Sequence, residues 1–227
     1  MDKIELVIFD LGGTTIQDGG QVPQAFTAAL QANGLEVSAE NLQAVRGASK
    51  RAVVRQFVER QFPEAEVETV SERVFAAFQR NLADLYAAGG VQVIPGVNET
   101  FAWLRRSGIK IALNTGFDRL ITGLLVQAAG WEPGIAVACA DDVPQGRPAP
   151  YLIFRAMQTA GATSVHRVAS VGDTVLDLQA GWNAGVRWNI GVLSGAHTRL
   201  QLEQAPHTLL LPGVADLPEA WERLERD

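Results

Sequence analysis

Two periods of apolar spacing divide this chain. Residues 4–9 form a continuous apolar run broken only by Glu5, with β-branched residues among them. That is the pattern of a strand buried on both faces of a parallel sheet. After a polar, glycine-bearing turn at Gln17 to Gly20 the spacing becomes helical. Val22, Phe26, Ala29 and Leu30 mark one helix, which Asn33-Gly34 ends. Ser38 is placed to cap the next, ahead of Leu42 and Val45, and Ser49 to cap a third, carrying Val53, Val54, Phe57 and Val58. Pro63 breaks that pattern. A longer helix follows, with Val67, Val70, Val74, Phe78, Leu82 and Leu85 on one stripe, closed by Gly89-Gly90. Residues 17–90 thus read as all helix.

From Val91 onward, strands and helices alternate. Strands are predicted at 109–113, 135–139, 168–171, 188–192 and 208–211. Helices are predicted after Pro95-Gly96, at 119–129, at 151–160 and through Ala180. This alternation implies an α/β fold, a doubly wound, Rossmann-like parallel sheet with right-handed crossovers. The strand at 4–9 belongs to the same sheet, so the helical block interrupts it after its first strand. The predicted division is an α/β core of residues 1–16 and 91–227 and an all-helical cap of residues 17–90. The two crossings, near 16–20 and 88–95, form a natural hinge, and a cap over the strand ends would exclude water from a site there.

Composition narrows the function classes. A net charge of −6 and a pI near 5.1 give no footprint for nucleic acid. The single cysteine, Cys139, excludes an intrachain disulfide and reads as a small core hydrophobe. No apolar run approaches the ~18 residues of a membrane span. Met1-Asp2-Lys3 leads straight into a strand, unlike a signal peptide. The expectation is a soluble, cytoplasmic protein with neither membrane nor nucleic-acid partners. Trp103, Trp131, Trp182 and Trp188 read as packing or surface residues, and His166, His197 and His207 show no ligand spacing.

Chemistry gathers at the strand ends. Asp10 follows the first strand, Thr115 the second, Arg147 lies in the loop after the third, and Asp173 and Asp177 follow the fourth. Parallel strands bring their carboxyl ends to one edge, where open α/β sheets bind ligands. Asp10 and Asp173 are placed to share a hard cation such as Mg²⁺, which prefers oxygen ligands. Thr115 and the adjoining Gly116 offer a hydroxyl and backbone N–H groups to a phosphoryl oxygen. Arg147 supplies a permanent positive charge.

The order of these motifs resembles the haloacid dehalogenase superfamily, Mg²⁺-dependent hydrolases with an aspartyl nucleophile and a helical cap after the first strand. Within it the chain is most similar to the phosphonoacetaldehyde hydrolases (phosphonatases). Asp10-Leu11-Gly12-Gly13-Thr14-Thr15 is similar to their first motif, whereas phosphatases of the superfamily carry a second Asp at the position of Gly12. The loop 142–148 has arginine, Arg147, where most of the superfamily has lysine. Residues 171–177 and Asn183-Ala184-Gly185 also match. The resemblance implies that Asp10 attacks phosphorus. Asp10, the Gly12 carbonyl and Asp173 would hold Mg²⁺ with support from Asp177, and Gly13, Thr115, Gly116 and Arg147 would bind phosphoryl oxygens.

The missing second Asp withholds general acid–base help worth ~10²–10⁴-fold in ester hydrolysis. Cleaving a carbon–phosphorus bond instead needs an electron sink, which a lysine iminium provides. Lys50 is the one lysine between residues 17 and 90, and it matches the Schiff-base lysine of phosphonatases. In a first helical turn, the helix dipole with Arg46 and Arg51 nearby would lower its pKa. Two positions depart from the family: Val53 stands where phosphonatases have His, and Arg46 where they have Met. Arg46 would favour a second anionic group or a different substrate. The resulting expectation is a Mg²⁺-dependent phosphonatase-like hydrolase of a small phosphonate. The alternatives are a phosphatase of small phosphate monoesters, of the phosphoglycolate or sugar phosphate type, and a non-enzymatic binding module. Related phosphonatases dimerise through their caps, and the apolar cap helices here could pair in the same way.

Overall fold

The structure is a computed structural model and describes residues 3–132 and 134–224. Met1, Asp2, Pro133 and residues 225–227, all assigned above to the core, lie outside the described residues. Six parallel strands form one sheet: β1 (Leu6–Asp10), β2 (Lys110–Asn114), β3 (Ala136–Ala138), β4 (Val168–Gly172), β5 (Trp188–Val192) and β6 (Leu209–Leu211). Their spatial order is β3-β2-β1-β4-β5-β6. β1 is therefore central, and the crevice beside its carboxyl end is the switch point at which the winding reverses.

Alternation within β1 explains its uninterrupted apolar sequence. Leu6 and Ile8 join Ala112, Leu152, Ile153 and Ala156 in the core on one side of the sheet. That layer is formed by α7 (Tyr151–Ala160) and α8 (Val175–Ala184). Val7 and Phe9 face the other side, with Val97, Phe101 and Leu104 of α5 (Val97–Arg106), Ile121 and Leu125 of α6 (Arg119–Ala128), and Leu217 and Trp221 of α10 (Leu217–Leu224). Both faces are covered, so every residue of β1 is buried.

Between β1 and β2 run four helices, α1 (Gln21–Gln31), α2 (Ala39–Ala44), α3 (Lys50–Glu59) and α4 (Glu64–Gly89). α1 and α3 both pack on α4, where the Phe26 and Phe78 rings meet at 5.2 Å. The two crossings into this segment are hydrogen-bonded to each other: Gln17 N–H donates to the Gln92 carbonyl at 2.8 Å, and Ile94 N–H to the Thr15 carbonyl at 3.0 Å. Ser38 caps α2 by accepting from Asn41 N–H, as its position predicts. Ser49 occupies the cap position of α3, but its side chain makes no capping bond.

The sequence pattern missed α9 (Arg199–Leu202) and α10, one a single turn and the other only eight residues long. The apolar face of α10 is nonetheless structural. Trp221 packs edge-on against Trp188 at 4.7 Å and Trp103 at 5.3 Å. Trp131 is buried and Trp182 is exposed.

Candidate active site

Asp10 ends β1, and Asp173 and Asp177 open the loop and helix after β4. Because β1 and β4 are neighbours in parallel register, these carboxylates converge. One oxygen from each of Asp10, Asp173 and Asp177 lies within 4.8 Å of the others, and all three residues are buried. Arg147 reaches the same point from the loop after β3. Its Nη2 donates to Asp10 Oδ1 at 2.7 Å and its Nη1 lies 2.9 Å from Asp177 Oδ1. Nη2 also meets the carbonyl and side-chain oxygen of Asn114, the last residue of β2. Arg147 Nε is buried without a partner.

Three carboxylates against one guanidinium leave surplus negative charge in a buried place. Burial pushes the Asp10 carboxyl up to about 6, with Asp177 adding to the effect and Arg147 opposing it. Asp173 is held well above the usual carboxylate range by burial and by repulsion from Asp10 and Asp177. Thr14 Oγ1 donates to Asp173 Oδ1 at 3.1 Å and Ala196 N–H to Oδ2 at 2.7 Å, fixing that carboxylate. Among the described residues this is the one cluster of three potential metal ligands. Its donors are all carboxylate oxygens, and a divalent cation would relieve the repulsion. The residues present therefore fit Mg²⁺.

Asp177 has a second task. Its Oδ2 accepts from Thr174 N–H at 3.0 Å while its own N–H meets Thr174 Oγ1, a reciprocal capping pair that starts α8. Gly13 is required by its conformation: φ is +87°, and a Cβ there would stand 2.4 Å from Asp173 Oδ2. Its N–H is taken by the Ile16 carbonyl at 2.7 Å, so close approach to Asp173 is what the structure gives it, rather than a free donor for a phosphoryl oxygen. Gly12 lines the cavity, and Thr115 and Gly116 line it after β2. Thr115 Oγ1 accepts from Phe117 N–H at 3.1 Å.

The helical segment meets this edge through residues 46–50. Gly47, at φ +82°, lies so close to the loop after β4 that a Cβ would sit 2.5 Å from Thr174 Oγ1. Lys50 is the first residue of α3; its N–H donates to the Gly116 carbonyl at 3.3 Å. Its amine donates to the Ala48 carbonyl at 3.1 Å and lies 5.5 Å from the centre of the Phe117 ring. Lys50, Arg46 and Asp10 line one cavity of about 360 Å³.

Burial lowers the Lys50 amine to about 8, with Arg147 and Arg46 assisting and Asp10 opposing. The expected help from Arg51 is absent. One residue along a helix turns the side chain away, and Arg51 instead pairs with Glu72 and lies over the Phe75 ring at 4.4 Å. Arg46 does reach the cavity, but its charge is met there: Nη1 lies 2.6 Å from Asp18 Oδ2. The sequence reading missed Asp18, Asn114 and Phe117. Asp18 lies in the first crossing and carries no spacing signal. Asn114 is the last residue of an apolar strand and Phe117 reads as ordinary core.

Residues 4–185 match the family of haloacid dehalogenase-like hydrolases. A phosphonoacetaldehyde hydrolase of Bacillus cereus is 33% identical over 207 residues, covering 86% of this chain and 77% of that protein. A phosphonoacetaldehyde hydrolase-like protein from Oleispira antarctica shares the fold with a TM-score of 0.84 at 23% identity, over 99% of this chain and 94% of that one. The β-phosphoglucomutase of Clostridium difficile shares it with a TM-score of 0.80 at 17% identity, over 98% of each. With a buried aspartate ending its central strand, an acidic cluster and a helical insertion, the chain belongs to the haloacid dehalogenase-like hydrolases.

Proposed function

We propose that this hydrolase cleaves the carbon–phosphorus bond of phosphonoacetaldehyde or a close relative, with Asp10 as nucleophile, Lys50 as Schiff-base amine and Mg²⁺ as cofactor. One observation carries the reading: Lys50 and Asp10 line a single cavity, which Gly12 also lines without a side chain to act as a general acid. An amine lowered to about 8 has a reactive neutral fraction at neutral pH.

Lys50 adds to the substrate carbonyl and water leaves, forming an iminium. Asp10 attacks phosphorus, and the electrons of the carbon–phosphorus bond move into the iminium to give an enamine. Protonation and hydrolysis of that enamine free the aldehyde product and Lys50. Water then hydrolyses the aspartyl phosphate and releases phosphate. Arg147 orients the Asp10 carboxylate and holds positive charge beside the incoming phosphonate, and Thr115 contributes a hydroxyl at the same edge. Asp10 and Asp173, supported by Asp177, would hold Mg²⁺, which supplies charge neutralisation between the nucleophile and the anionic substrate. Residues 17–90 act as the cap and hinge at the paired crossings.

The test is phosphate release with Mg²⁺ from phosphonoacetaldehyde and from a panel of small phosphate esters. Faster release from the phosphonate supports the proposal. Turnover of esters alone assigns the chain to the phosphatase alternative.

A further inference from the structure

The cavity exceeds the needs of a two-carbon phosphonate, and its helical wall is mostly apolar. At about 30 Å³ per heavy atom, the share of a water molecule in the liquid, the seven heavy atoms of phosphonoacetaldehyde take about 210 Å³. The cavity holds about 360 Å³. The remaining ~150 Å³ has space for about five more heavy atoms, or about three beside a cation and one water. The polar groups of the cavity gather on the core side, at Asp10, Thr115, Arg147 and Asp173. On the helical side Val22, Phe26, Leu42, Val45 and Val53 make up most of the wall, interrupted by Thr27, Gln43 and the Asp18–Arg46 pair.

Charge on the helical side is already balanced. Arg46 is paired with Asp18 at 2.6 Å, so its charge is already met by a carboxylate, and of the two readings open for it, a second anionic group or a different substrate, the pairing favours the second. Arg147 is engaged by Asp10 and Asp177. Among the described residues lining the cavity, Lys50 is the remaining cation, and the chemistry proposed above uses it on the carbonyl.

We infer that the substrate is a 2-oxoalkyl phosphonate whose carbonyl carries an uncharged apolar tail of about three to five non-hydrogen atoms, seated against Val22, Phe26, Leu42 and Val45. This inference rests on the Asp10–Lys50 reading. The reaction balances as before: the Lys50 iminium forms with loss of water, Asp10 takes the phosphoryl group, and the bond's electron pair ends as the new C–H bond of a methyl ketone. Two waters consumed in hydrolysing the enamine-derived iminium and the aspartyl phosphate, less the one released, give a net use of one water.

The experiment is a chain-length series assayed by phosphate release: phosphonoacetaldehyde, then 2-oxoalkyl phosphonates with tails of one to six carbons. A parallel set ends in a carboxylate. Expected is a rise in kcat/KM of up to about fourfold per methylene, the ratio supplied by burying one CH₂, with a maximum at three to five carbons. The carboxylate set should fall at least tenfold below its neutral counterparts. Leu42→Phe and Val22→Phe, which fill the apolar end, should each move the optimum to shorter tails. Phosphonoacetaldehyde cleaved faster than every longer member would overturn the tail and leave carbon–phosphorus cleavage standing. A preference for the carboxylate set would overturn the neutral character of the site. Cleavage of no phosphonate, with turnover of esters, would remove both this inference and the function on which it rests.

Discussion

Replacing Lys50 with methionine should stabilise the fold while abolishing carbon–phosphorus cleavage. Burial is the first cause that lowers the amine from 10.5 to about 8. The unfolded chain therefore binds this proton more tightly than the folded one, and stability rises with pH across the window between the two values. Below pH 8 the folded cation carries its full penalty; above about 10.5 none remains. At 1.36 kcal/mol per pKa unit the ceiling is about 3 kcal/mol. Of this, about 2 kcal/mol is relieved between about pH 6.5 and about pH 9.5. Lys50 is half-buried beside an open cavity, and water there reduces the pH-dependent part to about 1 kcal/mol. For a chain of this size that is a Tm difference of about 2–4 °C. The assay is thermal unfolding of both proteins at the two pH values without added divalent ion. Lys50→Met should melt higher at the lower pH, with the gap closing at the higher one. A gap that is constant or widens with pH would refute the claim that the cavity penalises the charged amine.

Other outcomes follow from the same geometry. If the neutral amine is the reactive form, kcat/KM for the phosphonate should climb as pH rises through about 8; a rate flat from pH 6 to 9 contradicts that. A Cβ at Gly12 would meet nothing nearer than Phe117 Cε2 at 3.9 Å. Gly12→Asp should therefore fold and raise phosphate-ester turnover at least tenfold, within the ~10²–10⁴-fold reach of general acid–base catalysis, as read by a phosphatase assay. Mg²⁺ should raise Tm by relieving the repulsion among Asp10, Asp173 and Asp177. Asp173→Asn should abolish most of that shift in the same melting experiment.

Much of this site was legible because its chemistry lies where the topology dictates. Asp10, Thr115, Arg147 and Asp173 each follow an apolar strand, and a parallel sheet delivers successive strand ends to one edge. Lys50 was legible by a different route, as the one lysine of the helical segment. Its environment was less so. The sequence suggested that the helix end, Arg46 and Arg51 would lower its pKa; burial in the cavity dominates, Arg46 contributes, and Arg51 faces α4. Pairings between segments distant in sequence were hidden altogether. Asp18 meets Arg46 only because the first crossing and the loop before α3 come together. Asn114 holds Arg147 only because the loop after β3 folds back over β2. Neither residue type carries periodicity, so composition and spacing gave no warning. The final helix escaped for a plainer reason: eight residues hold too few repeats to distinguish a helix from a tail.

The central claim is that a half-buried lysine amine and an aspartate act on one substrate in one cavity. Borohydride reduction during turnover of phosphonoacetaldehyde, followed by peptide mass spectrometry, examines it directly. A reduced two-carbon adduct should appear on Lys50, with loss of activity in step with its formation. Continued phosphate release with Lys50 unmodified would contradict it.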